Sequence, residues 1–257
     1  MPAMKTNLLL SSAVMVCALT ASAWAMNGGT SVYQGSVFTM ESQKSRDAIF
    51  KGSPGLLSVG GYYLMEKRVM EVDGSKQDWK INNTVGYIAM DVTPWLTVRG
   101  GGGVNDLSID QTDRDGDIEW IAGGTVRVMD YFAMDPIVGD DSYWLSIDLD
   151  GQYTGAKSSD DTMGDLTWNE VYAALLFNIT ARTERWGFMD RIALYLGPAY
   201  SGIVGSQDGS FSADIREDRS YGLVVGLAFN PSDNLTIKTE LQNFGDTSFG
   251  VGASFHF

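Results

Sequence analysis

The single histidine of the chain, His256, is the one side chain suited to proton transfer near neutral pH. A hydrolytic site would need a nucleophile and an orienting group beside it. Ser248 and Ser254 are the nearest serines in sequence, and neither comes with a third group. The single cysteine, Cys17, falls in an N-terminal apolar run, so histidine–cysteine metal ligation fails by count. Asp113-Arg114-Asp115-Gly116-Asp117 has the outline of a calcium loop. An EF-hand wants an acid two places before Asp113, where Gln111 stands, and a glutamate six after Gly116, where Ala122 stands. That stretch reads as a solvated turn. What remains is a set of charged residues embedded in apolar segments: Glu66, Arg68, Lys80, Arg99, Glu119, Arg127, Asp148, Asp150, Glu170, Lys238 and Glu240. Their chemistry is ion pairing, because buried charges are costly unless matched, and acids and bases here nearly balance.

These residues need elements that turn them all to one side. Ten segments alternate apolar and polar residues with a period of two: Leu57–Met70, Trp79–Asp91, Trp95–Val104, Ile118–Met129, Tyr143–Tyr153, Trp168–Ile179, Ile192–Ile203, Tyr221–Phe229, Leu235–Gln242 and Ser248–Phe257. In the fifth, Tyr143, Leu145, Ile147, Leu149 and Tyr153 share one face, and Ser146, Asp148, Asp150 and Gln152 the other. Charges in mid-strand on one face and almost none on the other is inside-out for a soluble sandwich. The pattern predicts an all-β fold: a transmembrane antiparallel up-and-down β-barrel of about ten strands, with 8 and 12 as the neighbouring counts.

Aromatic residues then fall by depth. Trp79, Trp120, Tyr153, Tyr200, Tyr221 and Phe249 make an outer girdle, and Tyr87, Tyr143, Phe177, Phe229 and Phe257 an inner one. Ten steps from Tyr143 to Tyr153, at ~3.3 Å rise and ~40° tilt, span about 25 Å, the height of a barrel's apolar band. Short connections at Val92–Pro94 and Asn230–Asn234 fall on the periplasmic side, with longer links at Asp130–Ser142 and Thr180–Asp190. The outer loops are Glu71–Asp78, Asn105–Asp117, Ala156–Asp165 and Val204–Arg219; they hold 15 acidic and 5 basic residues, a net of −10.

Residues 1–25 carry one base, Lys5, an apolar run from Leu8 to Ala21, and Ala23-Trp24-Ala25, the form of a cleaved secretory signal peptide. Residues 26–56 fit no barrel pattern and read as a tail or plug, and residues 57–257 as the barrel. A net charge of −14 disfavours nucleic acid as a partner.

The chain closes Gly250-Val251-Gly252-Ala253-Ser254-Phe255-His256-Phe257. Gly252, Phe255 and Phe257 resemble the C-terminal signal of small Gram-negative outer-membrane β-barrel proteins; Gly250 stands where a polar residue is usual. The resemblance implies export to the bacterial outer membrane, contact with its lipid and lipopolysaccharide, and recognition by the barrel-assembly machinery. Enzymatic barrels of the omptin, phospholipase and lipid A deacylase kinds need a histidine near the outer rim or lipid face, whereas His256 is placed at the inner end. The reading is a barrel that is not an enzyme and uses no cofactor or metal centre. Its lumen is charge-paired, with Trp144, Trp168, Tyr172 and Tyr195 filling the gaps. Its acidic loops serve a structural or interaction role and attract divalent cations weakly. The alternative is a narrow cation-preferring, porin-like channel.

Overall fold

The computed structural model describes residues 57–93, 95–110, 112–134, 142–159, 164–182, 191–208, 213–232 and 234–257. The signal-peptide and tail readings lie outside the described residues. The strands are β1 (Leu57–Val72), β2 (Ser75–Thr93), β3 (Leu96–Ile109), β4 (Thr112–Met134), β5 (Ser142–Ser159), β6 (Asp165–Arg182), β7 (Arg191–Asp208), β8 (Ala213–Glu217), β9 (Tyr221–Ser232), β10 (Leu235–Asn243) and β11 (Thr247–His256). Every pairing is antiparallel, and β11 pairs with β1 from Ser58↔His256 to Met65↔Phe249, so the sheet closes on itself. Closure removes the unpaired edge that no strand can carry through a bilayer.

The barrel has two storeys. Through the lower one, β9 pairs with β7 from Arg191↔Asn230 to Tyr200↔Tyr221, and the β10–β11 hairpin fills the space between β9 and β1. That gives ten strands. Above it, β8 takes over: it pairs with β7 from Val204↔Arg216 to Gln207↔Ala213 and with β1 from Met70↔Glu217 to Val72↔Ile215. The upper storey is therefore closed by eight strands, β1 to β8. The hairpin acts as a wedge that widens an eight-stranded cylinder to ten.

The two storeys are built inside-out with respect to each other. In the lower one, Leu149, Val171, Leu175, Phe177, Ile179, Leu194, Leu196, Leu223, Val225, Leu227, Leu241 and Phe255 are exposed on the outer wall. Their strand neighbours Asp148, Asp150, Glu170, Asn178 and Glu240 are buried inside. Such a wall is stable only in lipid. The upper storey has the opposite arrangement: Met70, Trp79, Ile81, Leu107, Ala156, Leu166, Trp168, Ile203 and Ile215 form a buried apolar core. Outward there stand Glu71, Lys76, Asp78, Asp165, Thr167 and Arg216, all exposed. Beyond the bilayer the outside is water, and the lumen becomes the only place to bury apolar surface.

Two sequence expectations change accordingly. The expected outer loops are largely strand: β1 and β2 join through a two-residue turn, Asp73 (φ 48°) and Gly74 (φ 82°), the positive-φ pair that suits a hairpin. Likewise β3 extends to Ile109 and β4 begins at Thr112, so Asp113–Asp117 is strand rather than a turn. The second change concerns β2, which faces opposite to the expected way. Trp79 and Tyr87 are buried, whereas Lys80, Ile88 and Met90 are exposed. Trp79 and Tyr87 thus leave the girdles, and Lys80 leaves the lumen. Gly60 accommodates the reversal, because the Tyr87 ring occupies the place a Cβ would take there. Trp120, Tyr153, Tyr200, Tyr221 and Phe249 are exposed, as an outer girdle requires, with Trp120 and Tyr153 rings 5.3 Å apart.

Candidate functional site

Among the described residues, buried charge is gathered in the lumen, where it is arranged in layers. Midway up, Arg99 of β3 reaches Asp150 of β5 with two bonds, Nη1 to Oδ1 at 2.8 Å and Nη2 to Oδ2 at 3.0 Å. The intervening residue of β4 is Gly123, paired with Arg99 on one side and Gln152 on the other. Without a side chain there, the guanidinium crosses one whole strand. Thr125 Oγ1 donates to Asp150 at 2.6 Å, and Arg99 Nε donates to Gln152 Oε1 at 3.2 Å. Both members of the pair are fully buried.

Lower down, Arg127 Nε donates to Asp148 Oδ1 at 3.0 Å, and Asn178 Nδ2 donates to Asp148 Oδ2 at 3.2 Å. Glu240 accepts from the Tyr195 hydroxyl at 2.7 Å and from Gln242. Lys238 is buried on the same face of β10 as Glu240. At the floor the His256 ring is held on both nitrogens, by Ser58 Oγ at 2.8 Å and Thr236 Oγ1 at 2.9 Å. The hydroxyls orient the ring as part of the wall, and no carboxylate joins them in these contacts.

Where the storeys meet, Arg68 is surrounded by acids. It bonds to Glu66 and Glu217, and its Nη2 lies 3.6 Å from Glu170 Oε1. Ser201 Oγ donates to Glu170 Oε1 at 2.7 Å and lies 3.1 Å from Glu217 Oε2, tying β7 into the cluster. Phe244, at the tip of the β10–β11 hairpin, presents its ring 4.0 Å from the Arg68 guanidinium carbon. That stacked cation fastens the wedge beneath β8. Glu119 is also fully buried, and neither of its carboxylate oxygens has a hydrogen-bond partner among the described residues.

Of the charged residues expected in the lumen, Glu66, Arg68, Arg99, Glu119, Arg127, Asp148, Asp150, Glu170, Lys238 and Glu240 face it; Lys80 faces out. Trp168, Tyr172 and Tyr195 are buried within, and the side chain of Trp144 lies outside those described. Glu217 and Phe244 were missed, since both sit in stretches that read as loop. The pairing of Phe244 with Arg68 leaves no local trace, because 176 positions separate them in the chain.

Around these charges the lumen is packed. Tyr62, Leu64, Val85, Tyr87, Ala89 and Ile121 fill one side, and Tyr172, Ala174, Leu176, Tyr195, Ala199, Val224 and Phe244 the other. The apolar core of the upper storey lies over both. On its outer rim the Lys157 ammonium, 2.8 Å from Asp165, holds that carboxyl below the usual carboxylate range through hydrogen bond and charge.

At the other end of the chain, Phe255 and Phe257 are exposed with ring centroids 5.2 Å apart, and the Phe257 amide bonds to Leu57 O at 2.9 Å. Removing Phe257 is expected to cut assembled barrel at the cell surface several-fold, measured by surface labelling. Unchanged surface levels would show that Gly252, Phe255 and Phe257 do not act as an assembly signal.

No protein-family model matches the sequence, and a search of curated proteins gave no match. Solved structures similar to the chain include the attachment invasion locus protein Ail of Yersinia pestis, 14% identical, covering 79% of this chain and 99% of that one, at a TM-score of 0.32. An outer-membrane channel from Pseudomonas putida F1 is 11% identical over 88% and 100% of the two chains, at 0.39. The translocator domain of the autotransporter NalP from Neisseria meningitidis is 11% identical over 84% and 95%, at 0.33. On the geometry of its own wall and lumen, the chain is a closed antiparallel transmembrane β-barrel.

Proposed function

We propose that this protein is a non-enzymatic outer-membrane barrel with a closed lumen, whose work is done by the outer surface of its upper storey. The observation that carries this reading is the apolar core of Trp79, Trp168, Leu166, Ile203 and Ile215 across the outer end of the lumen. An ion would have to shed its water to pass such a constriction. The charges below it support a structural role, since Arg99 with Asp150, Arg127 with Asp148, and Arg68 with its acids are tied across strands rather than lining an open path. Outward, Glu71, Asp78, Asp110 and Asp165 present an acidic face to the medium, suited to weak, salt-sensitive attraction of divalent cations at the cell surface.

Refolded protein in a planar bilayer is expected to give no stable conductance. A steady cation-selective current from the unmodified chain would replace this reading with that of a narrow channel.

The orientation is tested separately. A short epitope placed in the Asp73–Gly74 turn is expected to be accessible on intact cells, because tight polar turns at strand tips tolerate insertion. One placed beside Ser232 is expected to be reached only after the outer membrane is opened. The reverse pattern would put the upper storey in the periplasm and end the surface role.

A further inference from the structure

The outer wall of β1 and β2 holds two positive charges in an unfavourable place. Lys67 and Lys80 are direct cross-strand partners, and both are exposed on the outward face. Like charges directly opposite one another destabilise a sheet. Lys76, two outward rows higher on β2, pairs with Asp218 at 2.8 Å, whereas neither Lys67 nor Lys80 has an ion pair of this kind among the described residues. The acids on the same outer face are Asp78 one row above, Glu71 two rows above, and Asp106 one row below on β3.

The height of the pair is set by the strands. Leu57 and Met90 are partners at the inner end, and Lys67 and Lys80 each stand ten residues further out. Ten steps at ~3.3 Å rise and ~40° tilt lift the pair about 25 Å, to the top of the apolar band. The lysines therefore sit at headgroup level of the outer leaflet.

Directly beneath them the wall is unlike the rest of the barrel. The next outward rows are Met65 with Asn82, then Tyr63 with Thr84, then Gly61 with Gly86 and Gly102. The Tyr63 hydroxyl and the Asn82 side-chain carbonyl are shielded from solvent, each without a hydrogen-bond partner among the described residues. Below these, three glycines recess the surface; a Cβ on Gly86 would meet nothing nearer than 3.9 Å. Trp120, the cross-strand partner of Gly102, is exposed and turns its indole over Gly155 of β5, which leaves the recess uncovered on the β4 side. Elsewhere the lipid face carries large side chains such as Val171, Leu223 and Leu241.

We propose that Lys67 and Lys80 hold the phosphate of an anionic outer-leaflet lipid, with an acyl chain lying in the recess over Gly61, Gly86 and Gly102. A phosphate between two opposed ammonium groups removes their repulsion and gains charge-assisted hydrogen bonds from both. The chain as a whole is strongly acidic, at net −14, so general attraction to anionic lipid is weak and the seat has to be local. The assignment rests on the barrel's placement in the membrane and is independent of whether the lumen conducts.

The test uses the refolded full barrel in phosphatidylcholine vesicles, with and without the doubly phosphorylated glycolipid lipid A. Lipid A is expected to raise the thermal unfolding midpoint of the parent. The double variant Lys67→Gln/Lys80→Gln is expected to bind lipid A about thirtyfold more weakly, taking the usual contribution of two lysines at a charged surface. Its midpoint in phosphatidylcholine alone is expected to equal or exceed the parent's, because the repulsion is gone, which separates lost binding from lost folding. Lys67→Arg/Lys80→Arg is expected to retain the rise. The proposal is overturned if the glutamine variant keeps the full rise, or if dephosphorylated lipid A acts as well as the phosphorylated form. It is equally overturned if inorganic phosphate alone reproduces the effect, since the site would then take free anions rather than lipid.

Discussion

Replacing Asp150 with alanine is expected to lower the unfolding free energy of the barrel by about 3–5 kcal/mol, because it strands the Arg99 guanidinium in a dry lumen. Asp150 accepts two bonds from Arg99 and one from Thr125, and pair and surroundings are shut off from water. Breaking one member removes all three acceptor contacts and leaves a buried charge without its counterpart. Replacing both members together, as Arg99→Met/Asp150→Leu, is expected to cost far less, since no uncompensated charge remains. Urea unfolding of the refolded protein in lipid, followed by tryptophan fluorescence, measures both. The comparison is internal: Lys157→Ala, which breaks a pair exposed on the outer rim, is expected to leave the midpoint nearly unchanged. An Asp150→Ala variant as stable as the Lys157→Ala variant would mean that water reaches Arg99, and that the lumen is wet rather than packed.

The second large effect concerns the apolar seal. Trp79 and Trp168 meet edge to face inside the upper storey, with ring centroids 6.4 Å apart at 83°. Both are almost completely buried. Truncating either to alanine is expected to cost about 3–5 kcal/mol, as for large aromatic side chains in other cores. The double variant Trp79→Ala/Trp168→Ala is expected to do more than destabilise. It leaves a gap where two indoles stood, and the core around it, Ile81, Leu107, Leu166, Ile203 and Ile215, cannot close over both. Water then enters from the outer mouth, so the double variant is expected to flicker between conducting and silent states in a planar bilayer in which the parent is silent. A double variant that is both silent and as stable as the parent would place the seal elsewhere along the lumen.

Those two experiments probe features that differ in how plainly the sequence announced them. The pairing of Arg99 with Asp150 could be anticipated in kind but not in partner. Alternation puts each of them on the polar face of its strand. It does not say that Gly123 would leave a strand's width clear between them, because that depends on the register of β3 on β4 and of β4 on β5. The cluster around Arg68 was legible as Glu66 and Glu170 alone. Its third acid, Glu217, arrives on β8, a strand whose sequence reads as loop and which enters the sheet by pairing to β7 and β1.

The reversal of β2 shows where period-two reasoning stops. Alternation along this strand is unmistakable, with Trp79, Ile81, Val85, Tyr87 and Ala89 on one side and Lys80, Asn82, Thr84, Ile88 and Met90 on the other. Assigning the more apolar side to lipid is sound only if the whole strand lies in the bilayer. Its upper end does not. There Trp79 and Ile81 enter a water-shielded core, and pairing with β1 runs without a register shift from Leu57↔Met90 to Val72↔Ser75. An unbulged strand cannot exchange its faces midway, so the orientation chosen above the membrane carries Val85 and Tyr87 into the lumen below it. Tyr87 fits because Gly60 leaves it room.

Local patterning thus carries the all-β class, the antiparallel barrel of about ten strands, and the separation of charged from apolar faces. These follow from local periodicity and from the need of every backbone group to find a partner in lipid. Tertiary structure alone decided where the bilayer ends along each strand, that eight strands close the outer storey around an apolar core, and which charge meets which. The reason is that alternation records only that two faces differ. Which face is buried depends on what lies outside the wall at that height, and that is set by neighbouring strands and by solvent rather than by the residues of the strand itself.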